Sequence, residues 1–77
     1  MLMLPDKEFL IKLAHTKMPF GQYKDRYLID LPEHYMVFYH RKGFPKGQLG
    51  LMMAQVYELK INGLEYLVRK IKKEYPK

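Results

Sequence analysis

The sequence has no cysteine and no serine, and Thr16 is its only threonine. Without cysteine there is neither a disulfide nor a thiolate metal site, so stability must come from a packed apolar interior or from a partner chain. The usual hydroxyl and thiol nucleophiles are also missing. We therefore expect a protein that is not an enzyme and that needs no cofactor.

Long apolar runs are absent as well. No stretch approaches the roughly 20 apolar residues that cross a bilayer, and residues 1–8 lack the basic leader and apolar core of a signal peptide. His34 and His40 lie six residues apart, not in the i, i+4 relation in which two histidines of a helix share a metal. These observations predict a soluble cytoplasmic protein with no membrane role and no metal site.

What the chain does have is positive charge and aromatic side chains. Its 77 residues allow one domain, 1–77, in which 14 Lys and Arg against 8 Asp and Glu give a formal net charge of +6. That balance favours polyanions such as DNA as partners. Six methionines, seven tyrosines and four phenylalanines supply material for a small core.

Helical periodicity covers most of the chain. Capping residues and proline stops predict four helices, over about 6–16, 32–42, 46–62 and 64–75. Asp6 is the expected N-cap of the first helix, and Gly43 the expected C-terminal stop of the second. Gly50 interrupts the third pattern, so either that helix starts after it or a neighbouring backbone approaches closely there. The last two helices are expected to pack antiparallel across the Asn62-Gly63 turn.

Between the first two helices the pattern changes to aromatic and β-branched residues around a polar turn. This favours a short β-hairpin with strands near 17–20 and 26–29. The predicted fold class is therefore α+β, mainly α: one helix, a hairpin and three further helices around one small core.

The hairpin is also the most plausible binding surface. Backbone amides and nearby cations can hold a phosphate while a tyrosine stacks on a base. The candidate nucleic-acid-binding residues are Lys17, Gly21, Tyr23, Lys24, Arg26, Arg41 and Lys42. The alternative is purely architectural: Gly21 supplies a positive φ, the tyrosines cover the edge of the core, and the cations keep the turn soluble.

A second functional hypothesis needs no nucleic acid. Aromatic residues of the second helix and the segment after it could form an apolar patch through which the chain associates with itself or with another protein. The residues of that patch would be Tyr35, Phe38, Tyr39 and Phe44, together with methionines that the core does not need.

Four segments resemble a small bacterial family of unknown function, the "putative quorum-sensing-regulated virulence factor" family. They are 18–26 (MPFGQYKDR), 28–32 (LIDLP), 41–50 (RKGFPKGQLG) and 62–65 (NGLE). The first also resembles a segment appended to bacterial DNA exonucleases of the polymerase III epsilon type, which implies at most an accessory DNA-contacting module. Gln22 stands where that motif usually has lysine, and Asp25 where it usually has glycine, so Lys24 and Arg26 would carry any phosphate contact.

Overall fold

A computed structural model describes residues 6–76 of the chain. The expected absence of a signal leader concerns in part residues 1–5, which lie outside the described range. The described part contains four α-helices and one short 3-10 helix. These are α1 Lys7–Ala14, the 3-10 helix Leu28–Asp30, α2 Glu33–Lys42, α3 Gln48–Ile61 and α4 Glu65–Glu74.

The predicted hairpin is wrong, because residues 6–76 contain no β-strand and the fold is all-α. A single antiparallel bridge joins Lys17 to Tyr27, and the 3-10 helix starts immediately after it. The physical reason lies in Leu28 and Ile29, which are 0% and 1% exposed. A strand points successive side chains to opposite faces, whereas a 3-10 turn lets both of these neighbours enter the same core.

The predicted helix ends are largely confirmed. The carboxylate of Asp6 accepts a hydrogen bond of 2.9 Å from the backbone N–H of Phe9, which caps α1. Gly43 follows α2 with φ of 113°, and its N–H donates to the Tyr39 carbonyl at 2.7 Å. Gly50 lies inside α3, and a Cβ there would be 1.7 Å from the Pro45 carbonyl oxygen. Close backbone approach is therefore the correct alternative for this glycine.

The core lies between the helices and the segment that joins α1 to α2. Helix α4 has its most extensive contacts with α1, and α2 packs mainly on α3, while α3 and α4 share a smaller contact. The 3-10 helix contacts α1, α3 and α4 and so closes the core. The largest fully buried side chains are Leu13, Met18, Leu28, Ile29, Leu31, Met36, Met53, Val56, Leu59 and Val68. No helix within residues 6–76 has the length and apolar character needed to cross a membrane.

Candidate functional site

The candidate residues that were predicted to form a hairpin lie on a compact loop, residues 17–27, which we call the basic loop. Its base is closed by hydrogen bonds from Met18 N to the Arg26 carbonyl at 2.7 Å and from Asp25 N to the Met18 carbonyl at 2.8 Å. Two residues have positive φ, Gly21 at 81° and Asp25 at 71°. Asp25, which stands where the family motif usually has glycine, thus adopts a left-handed conformation that aspartate tolerates better than most residues.

A row of aromatic rings connects the basic loop to α2. Tyr23 meets Tyr35 with ring centroids 4.7 Å apart, and Tyr35 meets Tyr39 at 5.2 Å. Phe38 continues the row at 5.4 Å from Tyr39. All three contacts are edge-to-face, a favoured arrangement of aromatic pairs. We call Tyr23, Tyr35, Tyr39 and Phe38 the aromatic row.

A cation lies at each end of the aromatic row. The Arg26 guanidinium is 5.5 Å from the centre of the Tyr23 ring, and the Lys42 ammonium is 5.5 Å from that of Phe38. Both distances are within cation–π range. The structure therefore brings three of the predicted residues, Tyr23, Arg26 and Lys42, into one continuous set that the sequence could not assemble.

Gly21 and Tyr35 lie close together at the centre of this arrangement. A Cβ on Gly21 would be 3.2 Å from the Tyr35 hydroxyl oxygen, so glycine here provides space as well as a positive φ. Burial, followed by the neighbouring Tyr39 hydroxyl and the charges of Tyr39 and Tyr23, raises the pKa of Tyr35 to about 12. Tyr35 is therefore uncharged at neutral pH, and the charge beside the aromatic row comes from the flanking cations.

The predicted cations are not neutralised within the described part of the chain. The ion pairs among residues 6–76 involve Lys60, Arg69 and Lys70, and none of them includes a candidate residue. The candidate cations that remain unpaired are Lys17, Lys24, Arg26, Arg41 and Lys42, all of them exposed.

Exposed apolar surface accompanies these charges on α2. Phe38 is 53% exposed and, with Arg41 and Lys42, borders a shallow concavity of about 410 Å³ that also includes His34 and Val37. An exposed ring with two cations beside it offers both a stacking face and phosphate contacts. Phe38 was assigned in the sequence to the self-association patch and not to this site, although its i, i+4 relation to Lys42 was visible there.

Not all candidate residues join the aromatic row. Lys17 lies instead beside Tyr27, its ammonium 5.2 Å from that ring. Lys24 extends from the turn of the basic loop, where its backbone N–H donates to the Gly21 carbonyl at 3.2 Å. The histidines have other contacts: His15 Nε2 lies 2.7 Å from the Tyr75 carbonyl, and His40 stacks on Tyr57 at 4.2 Å. Residues 6–76 contain no group of three metal-ligating side chains.

Comparison with known proteins identifies the family. The model of the family described as "Putative quorum-sensing-regulated virulence factor" matches residues 6–71. The chain belongs to this family. The resemblance found in the sequence is thereby confirmed, and the matched range includes the basic loop, α2, α3 and most of α4.

Two Escherichia coli proteins are close relatives. "Uncharacterized protein YpeB" of strain K12 is 49% identical over 69 residues, which cover 88% of this chain and 96% of the relative. The protein of the same description from strain O157:H7 matches with the same identity and coverage. No solved structure matches the chain. The family description names no molecule that its members bind, so the proposal below depends on the geometry of the site.

Proposed function

We propose that this chain is a non-enzymatic module that binds nucleic acid through the basic loop and the adjoining face of α2. In this proposal Lys24, Arg26 and Lys42 contact phosphates. Phe38 provides the exposed ring on which a base stacks. Tyr23, Tyr35 and Tyr39 hold the loop against α2 and so keep the cations in place.

One observation carries the proposal: the aromatic row has an unpaired cation at each end, Arg26 over Tyr23 and Lys42 over Phe38. Proteins that bind single strands without sequence preference combine aromatic rings with nearby cations, since every base has a π-face and every nucleotide a phosphate. The net charge of +6 adds long-range attraction for such a ligand.

Two of the predicted roles change in this proposal. Tyr23 is half-buried, and its ring is engaged by Tyr35 and Arg26, so it acts as a support and the stacking role passes to Phe38. Gly21 lies next to the Tyr35 hydroxyl and shapes the loop. The architectural alternative therefore describes these two residues well, while the cations keep their binding role.

The exposed apolar patch available for self-association is smaller than the sequence indicated. Tyr35, Tyr39 and Phe44 are half-buried against the core, and Met18, Met36, Met52 and Met53 lie inside it. Phe38 is the member of the predicted patch that remains exposed. A homodimer through this face would therefore depend largely on one ring and would bring like charges together.

The proposal is tested by binding to labelled single- and double-stranded DNA at increasing salt. Each phosphate contact contributes about 0.7–0.9 to the slope of log K against log salt, so replacing Lys24 and Arg26 by alanine is expected to flatten the slope by up to about 1.4–1.8. Fluorescence anisotropy at low and moderate salt measures both the affinity and the slope.

The matched control replaces Lys7 and Lys12 of α1 by alanine. This pair removes the same charge and also one cation–π contact, since the Lys7 ammonium lies 4.3 Å from the Tyr75 ring centre. Neither residue belongs to the proposed surface. Absence of binding at low salt, or an equal change of slope in both double variants, would contradict the proposal.

A further inference from the structure

A second set of cation–π contacts connects the basic loop to α4. The Lys72 ammonium lies 2.9 Å from the centre of the Tyr27 ring, and that of Lys17 lies 5.2 Å from it. One cation of the loop, Lys17, and one of α4, Lys72, therefore lie close to the same ring. Tyr27 is half-buried, unlike Phe38, so this side of the loop presents charge without an exposed stacking face.

The exposed side of α4 continues this positive surface. Its four cations, Arg69, Lys70, Lys72 and Lys73, line a shallow concavity of about 590 Å³. Arg69 is held by Asp30 at 2.6 Å, and Lys70 lies 3.9 Å from Glu74. Lys72 and Lys73 form no ion pair with a carboxylate of residues 6–76. The C-terminal half of α4 therefore carries uncompensated charge beside Lys17.

A role at the helix terminus explains only part of this charge. Cations in the last turn favourably meet the negative end of the helix dipole, which accounts for Lys72 and Lys73 individually. It does not account for two cations, Lys17 and Lys72, at one ring: the ring attracts each of them, but like charges brought together repel each other. A ligand that carries several negative charges would relieve that repulsion.

We propose that Lys17, Lys72 and Lys73 form a second phosphate-binding surface, so that one nucleic-acid strand passes from α2 over the basic loop to α4. This inference rests on the proposed function and defines its ligand as a polynucleotide, not a mononucleotide. The two surfaces differ in chemistry: α2 offers an exposed ring and cations, whereas α4 and Lys17 contact the sugar-phosphate backbone alone.

The size of the molecule agrees with a ligand of several nucleotides. Its two larger extents are 32 and 30 Å. A strand carries one phosphate per about 3.4 Å in B-form geometry, so roughly nine phosphates would cross the molecule. The affinity should therefore increase as the oligonucleotide is lengthened from about 4 to about 16 nucleotides. The increase should be larger than the statistical gain from the greater number of binding positions on a longer strand.

The decisive experiment replaces Lys72 and Lys73 by glutamine in the full chain and compares this variant with Lys7→Gln/Lys12→Gln. Both pairs remove two charges and one cation–π contact, and the control also removes the hydrogen bond that Lys12 Nζ donates to Gln48 Oε1. With an oligonucleotide of about 16 nucleotides, the α4 variant should flatten the salt slope by about 0.7 for each lost contact, and the control should change it less. Lys72→Arg/Lys73→Arg, which keeps both charges and the contact with Tyr27, should restore the slope.

The outcomes separate this inference from the proposed function. If the wild-type chain binds, the Lys24/Arg26 variant loses affinity and the α4 variant behaves like its control, the second surface is disproved while the first one stands. If the wild-type chain binds no DNA at low salt, both are disproved. Thermal unfolding of each variant shows whether a change of affinity reflects loss of the fold. A folded Lys72→Gln/Lys73→Gln variant with reduced affinity supports the inference. If Lys72→Arg/Lys73→Arg binds DNA equally weakly, the inference is overturned.

Discussion

At the scale of single residues, Tyr35 is the centre of the site. Its ring contacts Tyr23 on one side and Tyr39 on the other, and its hydroxyl lies over Gly21. It therefore fixes the distance between the basic loop and α2. Its raised pKa, about 12 against 10.0 for a free tyrosine, has burial as its largest cause and means that the folded state resists ionisation of this phenol.

This shift predicts a loss of stability at high pH. The unfolded chain ionises Tyr35 near pH 10 and the folded chain near pH 12, so the stabilisation is complete below about pH 10 and is lost as the pH rises towards about 12. Tyr35→Phe should therefore lose less of its free energy of unfolding than the wild-type chain over that interval. Denaturant unfolding at a series of pH values measures this difference.

Tyr66→Phe provides the comparison for Tyr35. Tyr66 is 60% exposed on α4, so its replacement removes one phenol without altering the aromatic row. Tyrosinate absorbance of the folded protein gives an independent check, because the transition near pH 12 should be missing only in Tyr35→Phe. Identical pH profiles for both variants would show that Tyr35 is not shielded in this way.

The site was partly predictable at this scale. Arg26 and Tyr23 are close in sequence, and Lys42 was visible as a cation at the end of a helix. The contact of Tyr23 with Tyr35 depends on how the loop folds back on α2, which no local pattern encodes. The same holds for Lys72 over Tyr27, two residues 45 positions apart in the printed sequence.

At the scale of elements, the packing of α3 against the segment that precedes it depends on Gly50. The Cβ of any other residue would lie 1.7 Å from the Pro45 carbonyl oxygen, a backbone atom that cannot move aside as a side chain can. In a solvent-exposed helix, glycine to alanine would stabilise the fold by up to about 1 kcal/mol. At Gly50 the same replacement should instead destabilise the fold.

We therefore expect Gly50→Ala to lower the free energy of unfolding by about 1–3 kcal/mol or more, as overpacking does in other cores. Gly63→Ala is the control: Gly63 has φ of 69°, and a Cβ there would meet nothing within 4 Å. Its cost is conformational strain alone, roughly 1–2 kcal/mol. Thermal or denaturant unfolding compares the two variants, and a Gly50→Ala protein as stable as the wild type would contradict the close contact.

The helices and the loop differ in how far local sequence determines them. Asp6, Gly43 and the prolines act within one turn of the residues they affect, so the ends of α1 and α2 follow from the sequence to within about two residues. The segment from 17 to 29 depends on tertiary burial instead. Tyr27 and Ile29 are of residue types that favour strands, but Leu28 and Ile29 both enter the core, and burial prevails over local preference.

At the scale of the whole molecule, positive charge extends from the basic loop to both α2 and α4. The aromatic row leads from Arg26 to Lys42, and Tyr27 leads from Lys17 to Lys72. The sequence predicted the total charge, but whether these clusters meet depends on how α2 and α4 pack around the loop. That is a tertiary property, which explains why the sequence alone left the binding and architectural roles as alternatives.

The oligomeric state distinguishes nucleic-acid binding from self-association. A chain with a net charge of +6 and one exposed ring of the predicted patch should be monomeric, so light scattering should give the monomer mass of 9.3 kDa. Phe38→Ala should leave that mass unchanged and weaken DNA binding by roughly 5- to 150-fold, since stacking contributes about 1–3 kcal/mol per base.

Leu51→Ala is the matched control, because Leu51 is 65% exposed on α3 and lies outside both proposed surfaces. It should change neither the mass nor the affinity. A wild-type mass near twice that of the monomer, reduced by Phe38→Ala with DNA binding unaffected, would assign this ring to a homodimer. In that case Arg41 and Lys42, the cations beside this ring, would face their copies across the interface, and dimerisation should strengthen as salt screens their repulsion. Nucleic-acid binding has the opposite salt dependence, because the affinity of a monomer for DNA falls as salt increases. One salt titration, followed by light scattering and by DNA binding, therefore decides between the two functions.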